Sequence, residues 1–346
     1  VTYTLRAAPR WTLDTQNGNI AESFFSAAGV PAAAYNYKTP AQLAGCDDIY
    51  VMPHADADWS YYGPLLNWVK NHRGSFWGGC RTGSQIENLF NPANPAEQMN
   101  FLSVTGLVPH DAHADGTPPY IHQFPNSVAA QYMGKTDLAH TNGSEQIYLP
   151  KLGGGWRATT EVIAYDPTQS NVPALSPGPA APIVYGRAFG NNNYGFAMYE
   201  GGHNISGNSQ DEIAAQRAFW NFSFRSSIEK MPVITPPVIP ATLVSGSVNS
   251  FSVIATSPDG STLSYQWTSS CGGSFSAPTS ANTNYTAPVV TVNTTCVITV
   301  TVSDACGRST FFTKQVQIVP QENLFNPDFN VTYVNVPVPG NVKTND

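Results

Sequence analysis

The stretch "SFWGGCRTGSQ" (75–85) sets one cysteine among glycines and small polar residues, straight after a short apolar run. A nucleophile on a sharp strand-to-helix elbow needs strained backbone and neighbours without bulk. Gly78, Gly79, Thr82 and Gly83 around Cys80 meet that demand. The same residues also suit a buried structural cysteine, with the paired glycines allowing close helix–strand packing. Two further stretches, "PHADADW" (53–59) and "PHDAHADG" (109–116), repeat His-Ala-Asp. His54, Asp56 and Asp58, or His110, His113 and Asp115, offer nitrogen and oxygen ligands to a divalent metal, because alternate residues of an extended chain share a face. Asp58 equally suits a helix N-cap. Trp59, Tyr61 and Trp77, with Tyr62, Tyr120 and Trp156, supply aromatic faces on which sugars could stack, or simply core.

These residues need elements to position them, and residues 1–230 read as α/β. "TYTLRAA" begins as a strand, and "NGNIAESFFSAAG" (17–29) is a helix closed by Gly29. "DDIYVMPH" (47–54) is a short apolar run of the kind buried in a parallel sheet. In "DWSYYGPLLNWVKNHRG" (58–74), Pro64 stands near a helix start, Leu65, Leu66, Trp68 and Val69 share a face, and Gly74 is the stop. "SFWGGC" is the next strand and "SQIENLF" the helix after the elbow. This alternation implies a parallel sheet covered by helices on both faces. Residues 91–180, rich in Pro, Gly and Asn, read as a long, mostly irregular insertion with some strand in "SEQIYLP" and "TEVIAYD". Two strand-like runs then flank a turn at 190–193. A last helix starts near Ser209 with Glu212 completing a capping box, and Ile213, Arg217, Trp220 and Phe224 fall at helical spacing along it.

The chain has 346 residues, enough for two or three domains. Only 11% of residues are charged and the formal net charge is -7, with no basic block, which argues against nucleic-acid binding. No run approaches the roughly 18 apolar residues of a membrane span. The start at Val1, with no charged leader and apolar stretch behind it, reads as a mature start after signal-peptide removal. Five cysteines leave at least one without a partner in the chain, and Cys271, Cys296 and Cys306 cluster late. That favours an oxidising compartment, secreted or at the cell surface.

With its elbow cysteine and strand–helix alternation, the region 1–230 resembles the class I glutamine amidotransferase-like superfamily. The resemblance implies a flavodoxin-like sheet, with Cys80 as nucleophile and a histidine just before the last helix. "YGFAMYEGGHN" puts His203 there, and "DDIYVMPHADAD" is similar to the strand and loop beside the oxyanion site. The pattern is degenerate. Thr82 stands where the family elbow has its last glycine, with Gly83 one place late, and Ile205 where the family has its glutamate. Glu200 or Asp211 would have to orient the imidazole instead. The resemblance therefore implies a retained scaffold whose site is lost or repurposed, with a Cys80–His203–Glu200 amide hydrolase as the alternative.

"MPVITPPVIPATLVSGS" marks a Pro-rich linker at 231–242. Residues 243–320 alternate at period two in short strands, a β-sandwich pattern. If "YQWTSSC" and "CVITVTV" pair antiparallel with Trp267 opposite Val300, Cys271 faces Cys296. A different register would give Cys271–Cys306. The segment looks like the immunoglobulin-like and polycystic-kidney-disease-like (PKD-like) modules of bacterial surface proteins, and residues 321–346 look like the start of a further module. The whole is similar to the N-terminal region of a large surface adhesin of gliding Bacteroidetes: a filament component whose partners are further modules, neighbouring subunits or surface glycans. A carbohydrate-binding head on a polymeric fibre is the other non-enzymatic reading. No cofactor is implied beyond the possible metal.

Overall fold

A computed structural model describes residues 9–134, 147–169, 180–202 and 205–321. The opening run at 2–8, His203, and the terminal segment from 322 lie outside the described residues. The chain divides into two compact units. The first comprises Val1–Val233 with Ala255–Leu263 and Ser303–Thr310; the second comprises Ile234–Ile254, Ser264–Val302 and Phe311–Asp346.

The first unit is built on β1 (Trp11–Asp14), β2 (Tyr35–Lys38), β3 (Ile49–Met52), β4 (Ser75–Gly79), a small ribbon of β5 (Phe90–Asn91) and β6 (Asn94–Gln98), β7 (Ile121–His122), β8 (Thr160–Tyr165), β9 (Ile183–Arg187) and β10 (Phe196–Glu200). All but the ribbon join one eight-stranded sheet in the order β2-β1-β3-β4-β10-β9-β8-β7. The five strands from β2 to β10 run parallel, while β9, β8 and β7 add antiparallel. The segment 91–180 is thus more than an irregular insertion: "TEVIAYD" supplies β8 to the main sheet. Tyr148 within "SEQIYLP" bridges Ala181.

The central strands β3, β4 and β10 are buried on both faces, so they carry apolar residues in both phases. Tyr50, Met52, Phe76 and Tyr199 pack on one face with Leu65, Leu66, Trp68 and Val69. Those four come from α3 (Pro64–Asn71), which follows α1 (Glu22–Ala27) and α2 (Trp59–Tyr62). Ile49, Val51, Trp77 and Met198 pack on the other face, against Phe24 and Phe25 of α1 and the long last helix. The left-handed residue after α3 is Arg73 at φ 49°, not Gly74. Gly74 is there for contact, since a Cβ would lie 2.3 Å from the Trp68 ring.

After α4 (Thr82–Glu87), the last helix α5 (Gln210–Ile228) opens with the full capping box, Ser209 accepting from the Glu212 amide and Glu212 from that of Ser209. Its inner face is Ala214, Ala215, Ala218, Phe219 and Phe222. Of the residues at helical spacing, Ile213, Arg217 and Phe224 are exposed, while Trp220 is half-buried against Trp11 and Phe25, with ring centroids 5.5 Å and 5.2 Å away. Small alanines win the inner position because they let the helix sit close to the sheet, while the aromatic rings at 219 and 222 fill the remaining space.

The second unit is a two-sheet β-sandwich. It uses β11 (Val233–Thr235), β12 (Thr242–Val244), β13 (Val248–Ser252), β14 (Ile254–Thr256), β15 (Leu263–Ser269), β16 (Ser274–Phe275), β17 (Asn282–Thr286), β18 (Thr294–Asp304) and β19 (Ser309–Val319). One sheet is ordered β12-β19-β18-β15 and the other β13-β17-β16. Phe251 from one sheet meets Trp267 from the other at 5.9 Å between ring centroids, over buried Ile298 and Val300. Ser270 N donates to the Val297 carbonyl at 3.0 Å, and Cys271 is bonded to Cys296 with Cα atoms 5.4 Å apart.

Cys306 is not the partner of Cys271. It bonds to Cys46 across 260 residues, both cysteines lying within the first unit. Beside that bridge is a buried ionic cluster. Arg308 donates to Asp48 at 3.0 Å, Asp259 at 2.8 Å and Asp304 at 2.7 Å, and to the Gly45 carbonyl at 2.7 Å. Lys230, fully shielded, donates to the Gly45 and Asp47 carbonyls at 2.8 Å each.

Candidate functional site

Cys80 follows the last residue of β4 and precedes α4, and its φ is 50°. A non-glycine residue in the left-handed region is strained, and such strain collects at functional turns. The glycines around it are there for close approach. A Cβ on Gly79 would stand 2.5 Å from the Pro53 carbonyl oxygen, and one on Gly83 would stand 2.5 Å from the Tyr148 ring. The turn from β4 into α4 is therefore sharp and closely packed.

Its surroundings are closed. Cys80 is buried and is the described cysteine outside both disulfides. Its amide donates to the carbonyls of Glu200 (2.9 Å) and Gly202 (3.1 Å). The Tyr148 hydroxyl donates to the carbonyls of Cys80 (2.7 Å) and Glu200 (2.8 Å), fixing the elbow to the end of β10. Thr82 Oγ1 accepts from the amide of Ala55 at 2.7 Å, which ties the loop after β3 to α4. Below the elbow, Glu87 is almost fully buried. It accepts from the Leu102 and Ser103 amides and from the Tyr199 hydroxyl at 2.6 Å. Burial pushes the Glu87 carboxyl above its ordinary range, although these hydrogen bonds oppose it.

The sequence candidates distribute as follows. Glu200 stands beside Cys80 through the backbone, and its carboxylate accepts from the Trp77 indole at 2.8 Å with no solvent exposure. Trp77 is accordingly no sugar platform: it is fully buried, edge-on to Phe219 at 5.4 Å. Tyr120 and Trp156 are buried too. Trp59 and Tyr61 are half-buried against the core, and the Tyr61 hydroxyl donates to Asp14 at 2.8 Å. The Tyr62 hydroxyl donates to the same carboxylate. Asp14 ends β1, beside the point where a sheet of this order leaves its ligand crevice. Here the phenols of α2 fill that place.

The metal sets are not assembled. Among the described residues no three His, Cys, Asp or Glu side chains are grouped to hold an ion. Asp58 caps α2 by accepting from the Tyr61 amide at 3.1 Å. Asp56 pairs with Arg81 at 2.7 Å, and His113 Nδ1 lies 2.8 Å from the Ala114 carbonyl oxygen. Sequence reasoning missed Tyr148, Glu87 and the Arg308 cluster. An isolated buried Tyr or Glu carries no periodic signal, and the cluster joins residues far apart in the chain.

No family model matches the chain, and no curated protein matches it. Solved structures that it is similar to include a nucleoside hydrolase-related protein from Saccharophagus degradans associated with carbohydrate metabolism, at 22% identity and TM-score 0.24 over 37% of this chain. The match spans 35% of that structure's length. The PKD1 domain of Vibrio anguillarum Epp matches at 17% identity and TM-score 0.19, covering 27% of this chain and 99% of that domain. The Bacteroides ovatus protein SGBP-B, solved with a mixed-linkage heptasaccharide, matches at 19% identity and TM-score 0.21, covering 26% of this chain and 24% of that one. No helix among the described residues is long and apolar enough to cross a membrane. Two disulfides accord with an oxidising compartment.

Proposed function

We propose that this chain belongs to an extracytoplasmic attachment protein of the surface-adhesin kind. Its α/β unit is a degenerate amidotransferase-like scaffold used for binding, and its β-sandwich is an immunoglobulin- or PKD-like module of the same chain. The observation that supports this reading is the closure of the elbow. The Ala55 amide, in the loop after β3 that would share in an oxyanion site, donates instead to Thr82 Oγ1, and the cysteine is buried. Iodoacetamide labelling at neutral pH tests it. Native Cys80 should react at least about 100-fold more slowly than the thiol of the urea-unfolded chain. Labelling at or above the unfolded rate would sink the proposal.

The left-handed φ of Cys80 favours a second reading, an amide hydrolase with Cys80 as nucleophile and His203 as base. That reading requires fast labelling and loss of amide hydrolysis in Cys80→Ser.

A further inference from the structure

On the α5 side of the antiparallel strands lies a cavity of about 300 Å³, a size typical of small-ligand sites. Its lining includes Thr159, Glu161, Tyr185, Arg187, Asn192 and Arg225. Tyr185 stacks on Phe196 with ring centroids 5.2 Å apart. The Arg187 guanidinium lies 3.8 Å from the Phe196 centroid and that of Arg225 5.4 Å away. Behind them both arginines pair with the single carboxylate of Glu229, and Arg73 approaches the same carboxylate at 3.6 Å. Three cations thus share one anion, in a chain with only 16 Lys and Arg. Across the cavity Glu161, the carboxylate in its lining, accepts from Ser127. Crowding leaves its mark on Arg73, whose pKa is lowered by burial and by the neighbouring Arg187 charge.

A second cavity, of about 320 Å³, shares Glu161 with the first and is lined by Gln123, Phe124, Asn126 and Ser127. One ring, amides and a hydroxyl there sit next to an arginine pair here. Arg225 is about one-third exposed at its side chain. Its five donors are more than the ion pair with Glu229 uses, which leaves donors of the planar fork for a carboxylate.

We propose that these two adjoining cavities form a binding groove for a uronic-acid-containing glycan. The sugar carboxylate meets Arg225 and Arg187, and neighbouring sugars reach the Gln123–Ser127 side. This goes beyond the attachment reading and does not depend on the state of Cys80. Calorimetric titration tests it, with hexasaccharides of galacturonate, glucuronate and mannuronate set against a neutral galactose hexasaccharide. At least one uronate should bind 10-fold or more tighter than the neutral sugar, and added salt should weaken it. Arg225→Gln should weaken that binding at least 10-fold with an unchanged melting curve. Glu161→Gln should tighten it severalfold, an effect that a merely structural role would not give. No uronate binding up to 10 mM, equal affinity for the neutral sugar, or indifference to Glu161→Gln and to a folded Arg225→Gln would each overturn the groove. The thiol-labelling result would stand apart from any of these outcomes.

Discussion

Replacing Arg308 with Met tests the buried ionic cluster most directly. The guanidinium is nearly fully shielded and serves three carboxylates, Asp48, Asp259 and Asp304. Removing one partner of a buried ion pair costs about 3–5 kcal/mol, because a charge is left without compensation. Three such losses do not add here. Lys230 stays 3.6 Å from Asp48, and Asp259 keeps the Ser257 and Ser261 hydroxyls at 2.7 Å each. The expected loss for Arg308→Met is therefore about 3–5 kcal/mol in all, a large share of a typical domain's stability. The pH dependence carries a sign. Burial pushes the Asp259 carboxyl up, but the two serines, Arg308 and Lys230 outweigh it and hold its pKa at about 2. A carboxyl held below its unfolded value gives stability that is present above about pH 4 and lost as pH falls towards 2, here about 2 kcal/mol. Without Arg308 the folded pKa rises, so the variant has less to lose on acidification. Urea unfolding, followed by tryptophan fluorescence at pH 7 and pH 3, should show the gap between wild type and variant narrowing at the lower pH. A gap under about 1 kcal/mol at pH 7, or one that fails to narrow, would refute the reasoning.

Two further substitutions probe other parts of the frame. Removing the Cys46–Cys306 bridge by paired alanines frees a loop of 260 residues, against 25 for Cys271–Cys296. Chain entropy predicts losses of about 5–6 and about 3–4 kcal/mol respectively. Urea titration of the two double variants checks the order, and a reversed order counts against the entropic account. Tyr148→Phe strips a donor from two buried carbonyls and should cost about 1–3 kcal/mol. It should also speed iodoacetamide labelling of Cys80; an unchanged rate would mean that Tyr148 does not hold the elbow shut.

Much of the scaffold could be read from short-range signals. "IYVM" and "SFWGG" are apolar in both phases because both faces of these central strands are covered. The Ser209–Glu212 box marks the start of α5 because its two hydrogen bonds are purely local. What could not be read depended on distance or on size rather than polarity. Nothing near Cys46 points to a partner 260 residues away. The inner face of α5 is set by the room that alanines leave, so bulky apolar residues alone do not mark it. Trp77 resembles a binding aromatic in type, and its place in a strand covered on both faces makes it core. The HADAD pattern failed for a related reason: Asp58 answers to the helix beginning at Trp59, and Asp56 to Arg81.

The long bridge from Cys46 to Cys306 also governs how the molecule would carry tension. A pull applied outside those two points is relayed from one side to the other by a single pair of sulfur atoms, and everything between is left off the load path. Reduction would release that detour, adding roughly 900 Å of extensible contour once the enclosed residues straighten. Between those two cysteines a reductant, and not force alone, is what lets the chain lengthen.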